Sequence, residues 1–230
     1  MATIKLFCSN SMRGVMDELL PQFERASGNK VEVSYDPAKL MMERIQRGES
    51  ADLLIIGGSA LQDLEKAGKI AAGSRGVISS CGVGVAVKAG APKPEIGTVD
   101  AFKRALLAAK SVAYTEHGAS GIYFSGLIEK LGIAAEIKAK AARQAGGLVG
   151  EIVAAGKAEL AVQQVPELMV VKGVDYVGPL PKEIQQTTVS SAGIFASSKA
   201  PKETRALLDF LTSPDAKRVM KAKGHEPATA

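Results

Sequence analysis

The segment Asp52-Leu53-Leu54-Ile55-Ile56 constrains the fold of this chain more than any other. Four large apolar residues follow one another with no polar alternation. That is the pattern of a strand buried on both faces, which needs helices above and below it. The flanking sequence supplies them. Thr3 to Phe7 reads as a strand, after which Met12, Val15, Met16, Leu19, Leu20 and Phe23 recur along one helical face. Pro21 predicts a kink or a break before the last turns of that helix, and Gly28-Asn29 ends it. Val31 to Tyr35 is a second strand. Leu40, Met41, Arg44 and Ile45 continue a second helix that stops at Gly48, and Ser59 is expected to cap a third through Ala67. This βαβαβ order predicts a parallel sheet with helices on its faces.

Val77 to Val87 is long, β-branched and broken by glycines, so one strand there is expected to leave the first sheet and enter a second. Val99 to Ala109 reads as a helix, Ser111 to Tyr114 as a strand, and Ser120 to Leu131 as a helix. Ile133 to Ala142 is helical in composition, and Leu148 to Ala155 is a helix. Leu160 to Gln163 and Val174 to Val177 are strands, with Gly178-Pro179-Leu180-Pro181 as a linker. After a strand over Val189 to Ser197, the end is helical, from Glu203 to Leu211 and again from Pro214. The pattern predicts an α/β protein of two lobes, each a mostly parallel sheet flanked by helices. Residues 1–80 and 189–230 form the first lobe and 81–188 the second, with a ligand cleft between them.

At 230 residues and 46% apolar, the chain can bury such cores. Aromatic residues are only 4% and Trp is absent, so stacking platforms for nucleic acid are scarce. No run of 18 apolar residues exists, so no membrane insertion is expected. Cys8 and Cys81 stand too far apart for a metal motif and read as buried free thiols. Neither a metal nor a cofactor is expected. No basic-then-apolar leader precedes the first strand, which predicts a cytoplasmic protein if this N-terminus is native and a periplasmic one if a signal peptide was removed.

Polar residues cluster where strands hand over to helices. Ser9-Asn10-Ser11 offers hydroxyls and an amide beside the unpaired N–H groups of a first helical turn, an arrangement suited to a small anion. Lys39 follows Asp36-Pro37-Ala38 at another helix start, where its charge opposes the macrodipole unless an anion lies beside it. Ala119, Ser120 and Gly121 open a third helix after Glu116-His117-Gly118, and Gly146 and Gly147 precede a fourth. Gln163 and Gln164 end an apolar strand with two amides, each able to donate and accept. These residues are the candidate ligand set.

Phe7-Cys8-Ser9-Asn10-Ser11-Met12, Gly48 to Leu53, Gly121-Ile122-Tyr123 and Leu208 to Pro214 together resemble the periplasmic molybdate-binding proteins of ABC transporters. The resemblance covers nearly the whole chain. It implies a type II periplasmic binding-protein fold closing over an oxyanion, and a transporter permease as partner if the protein is exported. The family's first ligand serine falls on Ser11. Its second falls near Ala38-Lys39, where no hydroxyl remains. Its alanine falls on Ser120, a backbone contact falls near Gly146, and its tyrosine falls on Gln164. Lysine and a carboxamide in place of neutral donors favour a small organic carboxylate over molybdate or tungstate. Aconitate isomerase resembles the same family. That alternative implies a cofactor-independent enzyme, with Lys39, His117 and Tyr123 as candidate acid/base groups. A cytoplasmic ligand sensor without catalysis is a third reading.

Overall fold

The computed structural model describes residues 1–57 and 60–229, so the expected cap at Ser59 lies outside the described residues. The chain begins with β1 (Thr3–Ser9), a 3-10 turn (Asn10–Met12) and α1 (Arg13–Ser27). Next come β2 (Lys30–Asp36), α2 (Ala38–Gln46), β3 (Leu53–Gly57), α3 (Ala60–Lys66) and β4 (Gly76–Cys81). It then forms β5 (Val83–Lys88), α4 (Val99–Ala108), β6 (Val112–Thr115), α5 (Ala119–Lys130), α6 (Ala134–Ala139) and β7 (Ala141–Gln144). These are followed by α7 (Gly150–Ala154), β8 (Leu160–Gln164), α8 (Val165–Met169) and β9 (Val174–Pro179). The last elements are β10 (Thr188–Ile194), α9 (Pro201–Leu211), α10 (Pro214–Ala222) and β11 (Glu226–Pro227).

These elements fall into two compact units, residues 1–80 with 188–230, and residues 81–187. The first unit holds a six-stranded sheet in the order β11-β4-β10-β3-β1-β2, and the second a five-stranded sheet in the order β7-β6-β8-β5-β9. In the first, β1 pairs in parallel with β2 and β3, and β10 runs antiparallel to β3. In the second, β6 pairs in parallel with β7 and β8, and β5 runs antiparallel to β8 and β9. Each sheet therefore sets three parallel strands beside an antiparallel one, in an α/β fold with helices on both faces.

Strand alternation sorts the core. In the first unit Ile4, Leu6, Cys8, Leu53, Ile55, Ala192 and Ile194 face the helices α1, α9 and α10, while Phe7, Leu54 and Ile56 face α2 and α3. Val15, Met16 and Leu19 of α1 are essentially inaccessible, and each such burial stabilises by about 2 kcal/mol. In the second unit Val85, Val112, Tyr114, Leu160 and Val162 pack under α4, α5 and α6. Ala86, Ala113 and Ala161 pack under α7 and α8. Both cysteines are free and buried, Cys8 in the first unit and Cys81 at the start of the second.

Several local expectations are corrected. Residues 77–87 are two strands, not one: β4 and β5 lie in different sheets and part at Gly82. Ala141 and Ala142, read as the end of a helix, instead open strand β7. Ala141-Ala142-Arg143-Gln144 carries no β-branched residue, and its extended form comes from pairing with β6 at the sheet edge. Gly178 and Pro179 belong to β9, and Leu180 is buried, so this stretch is no linker. Pro179 is tolerated because β9 is an edge strand. Helix α1 runs unbroken through Pro21. Both Pro21 and Asp17, whose carbonyl loses its partner, face solvent.

Asp52 ties the first unit together from the loop before β3. Its carboxylate accepts from the Lys5 N–H at 2.8 Å, the Ser198 hydroxyl at 2.7 Å and the Lys199 N–H at 3.0 Å. Burial alone pushes its pKa up, but these bonds outweigh it and hold the group below its ordinary value. A depressed carboxylate contributes stability that is present above about pH 4 and lost as pH falls through the native value. Asp52→Asn should cost about 1–3 kcal/mol in urea unfolding at pH 7. The gap from wild type should narrow as pH falls toward about 3, and a gap that does not depend on pH would contradict this account.

Candidate functional site

Parallel pairing sets the candidate residues of the first unit at one sheet end. Ser9, at the end of β1, stands level with Asp36, at the end of β2. The 3-10 turn and α2 are therefore entered from paired residues about 5 Å apart across the strands. Ser9, Asn10 and Ser11 are all buried although all are polar, and the Ser9 and Ser11 hydroxyl oxygens lie 3.2 Å apart. His225 fixes this turn from below. Its Nε2–H donates to the Ser11 carbonyl at 2.9 Å, and its Nδ1 lies 3.1 Å from the Ser79 hydroxyl. Burial lowers the His225 pKa against the opposing bond to Ser11, so the ring is neutral at pH 7 and Nδ1 accepts from Ser79. A trans peptide points its N–H away from its carbonyl, so holding the Ser11 oxygen inward turns the Met12 N–H the other way.

The Asp36 to Lys39 stretch is arranged differently from a simple capped start. Asp36 does not cap α2. It accepts from Arg44, whose Nη1 also donates to Ser34 at 2.7 Å and whose guanidinium lies 4.3 Å from the Phe7 ring centre. Pro37 occupies the cap position, and Lys39, the second residue of α2, is exposed. Arg13, which sequence reasoning passed over, opens α1 with its guanidinium 4.2 Å from the Tyr35 ring centre. Its buried Nε has no partner among the described residues.

In the second unit three parallel strands end side by side. Thr115 pairs with Gln144, and the β6–β8 register brings it level with Gln163. Helix α5 starts directly above. Gly118 precedes it without a side-chain cap, and the N–H groups of Ala119, Ser120 and Gly121 form its open first turn. Ser120 and Gly121 are buried and Ala119 is exposed. Only glycine fits at 121: a Cβ there would lie 1.8 Å from the Thr115 carbonyl oxygen. His117 is half-buried, and its backbone N–H donates to Ala145 at 3.1 Å, which binds this loop to the one carrying Gly146 and Gly147. Gly147 has φ +86°, a left-handed conformation that glycine adopts without strain.

The two glutamines have different surroundings. Gln163 accepts from the Val149 N–H at 2.9 Å and donates to the Gly147 carbonyl at 2.7 Å, so its amide braces the Gly146-Gly147 loop. Gln164, next along the strand, points to the opposite face, the one α5 covers. Tyr123 sits a turn into α5, and its hydroxyl donates to the Ile184 carbonyl at 2.7 Å, which removes it from the strand ends. Glu167 was missed because an acid in the first turn of a helix reads as a surface residue complementing the dipole. It is buried beside Gln163 and Gln164. Burial pushes its pKa up from 4.5 to about 8, against hydrogen bonds from the Gln164 backbone and the Gln163 side chain. Nearby Cys81 is pushed up to about 12 by burial first and by Glu167 second.

The chain as a whole has counterparts among known proteins. The sequence profile of the bacterial extracellular solute-binding proteins matches residues 4–226. The chain belongs to that family. It is 36% identical to an aconitate isomerase from a Pseudomonas species over 99% of this chain and 89% of that one. It is 30% identical to the molybdate-binding protein ModA of Azotobacter vinelandii over 97% of this chain and 90% of that one. The fold matches that of the Azotobacter vinelandii periplasmic molybdate-binding protein with a TM-score of 0.81 at 18% identity, over 96% of this chain and 98% of that one. Among the described residues no helix is long and apolar enough to cross a membrane.

Glu167 yields a test of sign. An acid whose pKa is raised in the native state keeps its proton there while the unfolded chain gives it up. Stability is then lost progressively between about pH 4.5 and about pH 8. Glu167→Gln, which cannot ionise, should melt above wild type at pH 8, with the difference vanishing toward pH 4.5 in scanning calorimetry. A variant whose deficit against wild type grows as pH rises would show that the carboxyl serves the fold in its charged form.

Proposed function

We propose that this solute-binding protein holds a small organic anion carrying carboxylate groups, with a molybdate-like oxyanion as the other candidate. The donors come from Ser9, Asn10, Ser11 and Lys39 in the first unit. In the second they come from the first turn of α5 at Ala119, Ser120 and Gly121, the Gly146-Gly147 loop, and Gln164. One observation carries the choice of carboxylate. The strand end beside α5 presents the Gln164 carboxamide, which both donates and accepts, while the start of α2 carries Lys39 and no hydroxyl. A fully deprotonated oxyanion takes donors only, whereas a polycarboxylate bearing a protonated or hydroxyl oxygen also uses the acceptor. Gln163 acts on the ligand indirectly, by holding Gly147 and Val149 in place. If the protein is exported, it acts in the periplasm and passes its ligand to the permease of an ABC transporter.

A second reading is favoured by the 36% identity to an aconitate isomerase. In that reading one group removes a proton from a carbon beside a carboxylate, and the same or another group returns it at the far end of the allylic system. Lys39 and His117 are the candidates for that exchange. Tyr123 is the weaker one, since its hydroxyl is engaged by Ile184 and burial raises its pKa.

Calorimetric titration with trans-aconitate, citrate, succinate and molybdate separates the ligands, and saturable heat is expected from a tricarboxylate. Heat from molybdate alone would overturn the carboxylate reading. Ultraviolet monitoring of cis- and trans-aconitate with the purified protein separates carrier from isomerase. Interconversion that falls to background in Lys39→Ala or His117→Ala would establish catalysis, and none above background would remove it.

A further inference from the structure

We propose that Ser190 is a ligand-contacting residue of the first unit, its hydroxyl donating to an oxygen of the bound anion. The inference rests on the anion-binding reading above and adds a residue to it. Ser190 lies near the start of β10 and is 1% exposed, yet its Oγ has no hydrogen-bond partner among the described residues. Buried hydroxyls without partners are few in native proteins, because they give up water and receive nothing in return.

Its position shows what it would meet. The rows across the sheet run Cys8, Ile55, Ala192, and Ser190 stands two residues beyond Ala192, opposite Gly57. Alternation puts it on the face of Ala192 and Ile194, the face that α1 covers. Two residues beyond Cys8 the chain has entered the Asn10–Met12 turn, so Ser190 shares both the face and the sheet end at which α1 begins. Gly57, its neighbour on β3, presents no side chain, and a Cβ there would lie 2.8 Å from Thr188 Cγ2. The Thr188 methyl therefore fills the place a side chain at Gly57 would take, and a methyl offers Ser190 no hydrogen bond.

The second unit has a comparable device one strand over. There Gln164 ends β8 on the face of α5, opposite the apolar Val83. Each sheet thus presents one polar side chain at this place, on the third strand in one unit and on the antiparallel fourth in the other. Thr115 Oγ1 is also buried without a partner. It is walled in by Gly118 and Gly121, where an added Cβ would come within 2.4 Å and 2.6 Å of it, so it is a poorer candidate.

The test pairs two measurements on Ser190→Ala. Without ligand, the variant should melt at or above the wild-type temperature, because an unpartnered hydroxyl has been removed. Its affinity for whichever of trans-aconitate, citrate or molybdate the wild type binds should fall about tenfold, the loss expected for a hydrogen bond to a charged group. Ser190→Cys, with a weak donor of similar size, should fall between. Unchanged affinity in Ser190→Ala while the wild type binds would overturn the role of Ser190 and leave the anion-binding reading standing. A lower ligand-free melting temperature would also overturn it, by showing that the hydroxyl serves the empty fold. Wild-type protein that binds none of the three anions would overturn both.

Discussion

Parallel register is the constraint on which the rest depends. Because β1 pairs in step with β2 and β3, and β6 with β7 and β8, the carboxyl ends of each trio finish level. Every helix that follows such a strand must start at that same edge. The unpaired N–H groups of several first turns then gather without any side chain being asked to reach. Side chains refine what the backbone has assembled. Gln163 braces one loop, His225 orients one turn, and Gly121 lets α5 sit against the end of β6.

The regions around these edges combine burial with polarity. Ser9, Asn10, Ser11, Ser120, Gln163, Gln164 and Glu167 are all buried. Burying such groups costs free energy unless they are hydrogen-bonded. Some of the bonds run to the backbone of a neighbouring loop, as with Gln163 to Gly147 and His225 to Ser11. That choice makes the shape of the edge depend on residues remote in sequence. It also explains how a carboxylic acid such as Glu167 can sit among amides as a neutral partner.

The sequence made the fold legible where periodicity was strong. The apolar run of β3 and the stripe of α1 announced themselves, and with them the parallel core of the first unit. Strand β7 was illegible because Ala141 to Gln144 has no intrinsic preference for extension and takes it from β6. The polar residues at strand ends were visible as types, but their partners were not. Nothing in Gln163-Gln164 says which amide is spent on a loop, since that follows from which sheet face each occupies. Arg13, Glu167, Ser190 and His225 carried no local signal at all. Each acquires its character from burial beside segments far along the chain, His225 from a turn 214 positions away.

The placement of β10 carries a consequence for how the chain is made. It lies between β3 and β4, and it is supplied by residues that emerge from the ribosome after the whole of the second unit. Until then β3 has an open edge, and the face of α1 lacks Leu207, Leu211 and Met220 to close over it. The second sheet, by contrast, has all five of its strands once residue 179 has been added. The part of the molecule translated first is therefore the part finished last. A chain held unfinished in this way keeps one apolar strand edge open to pairing with other chains.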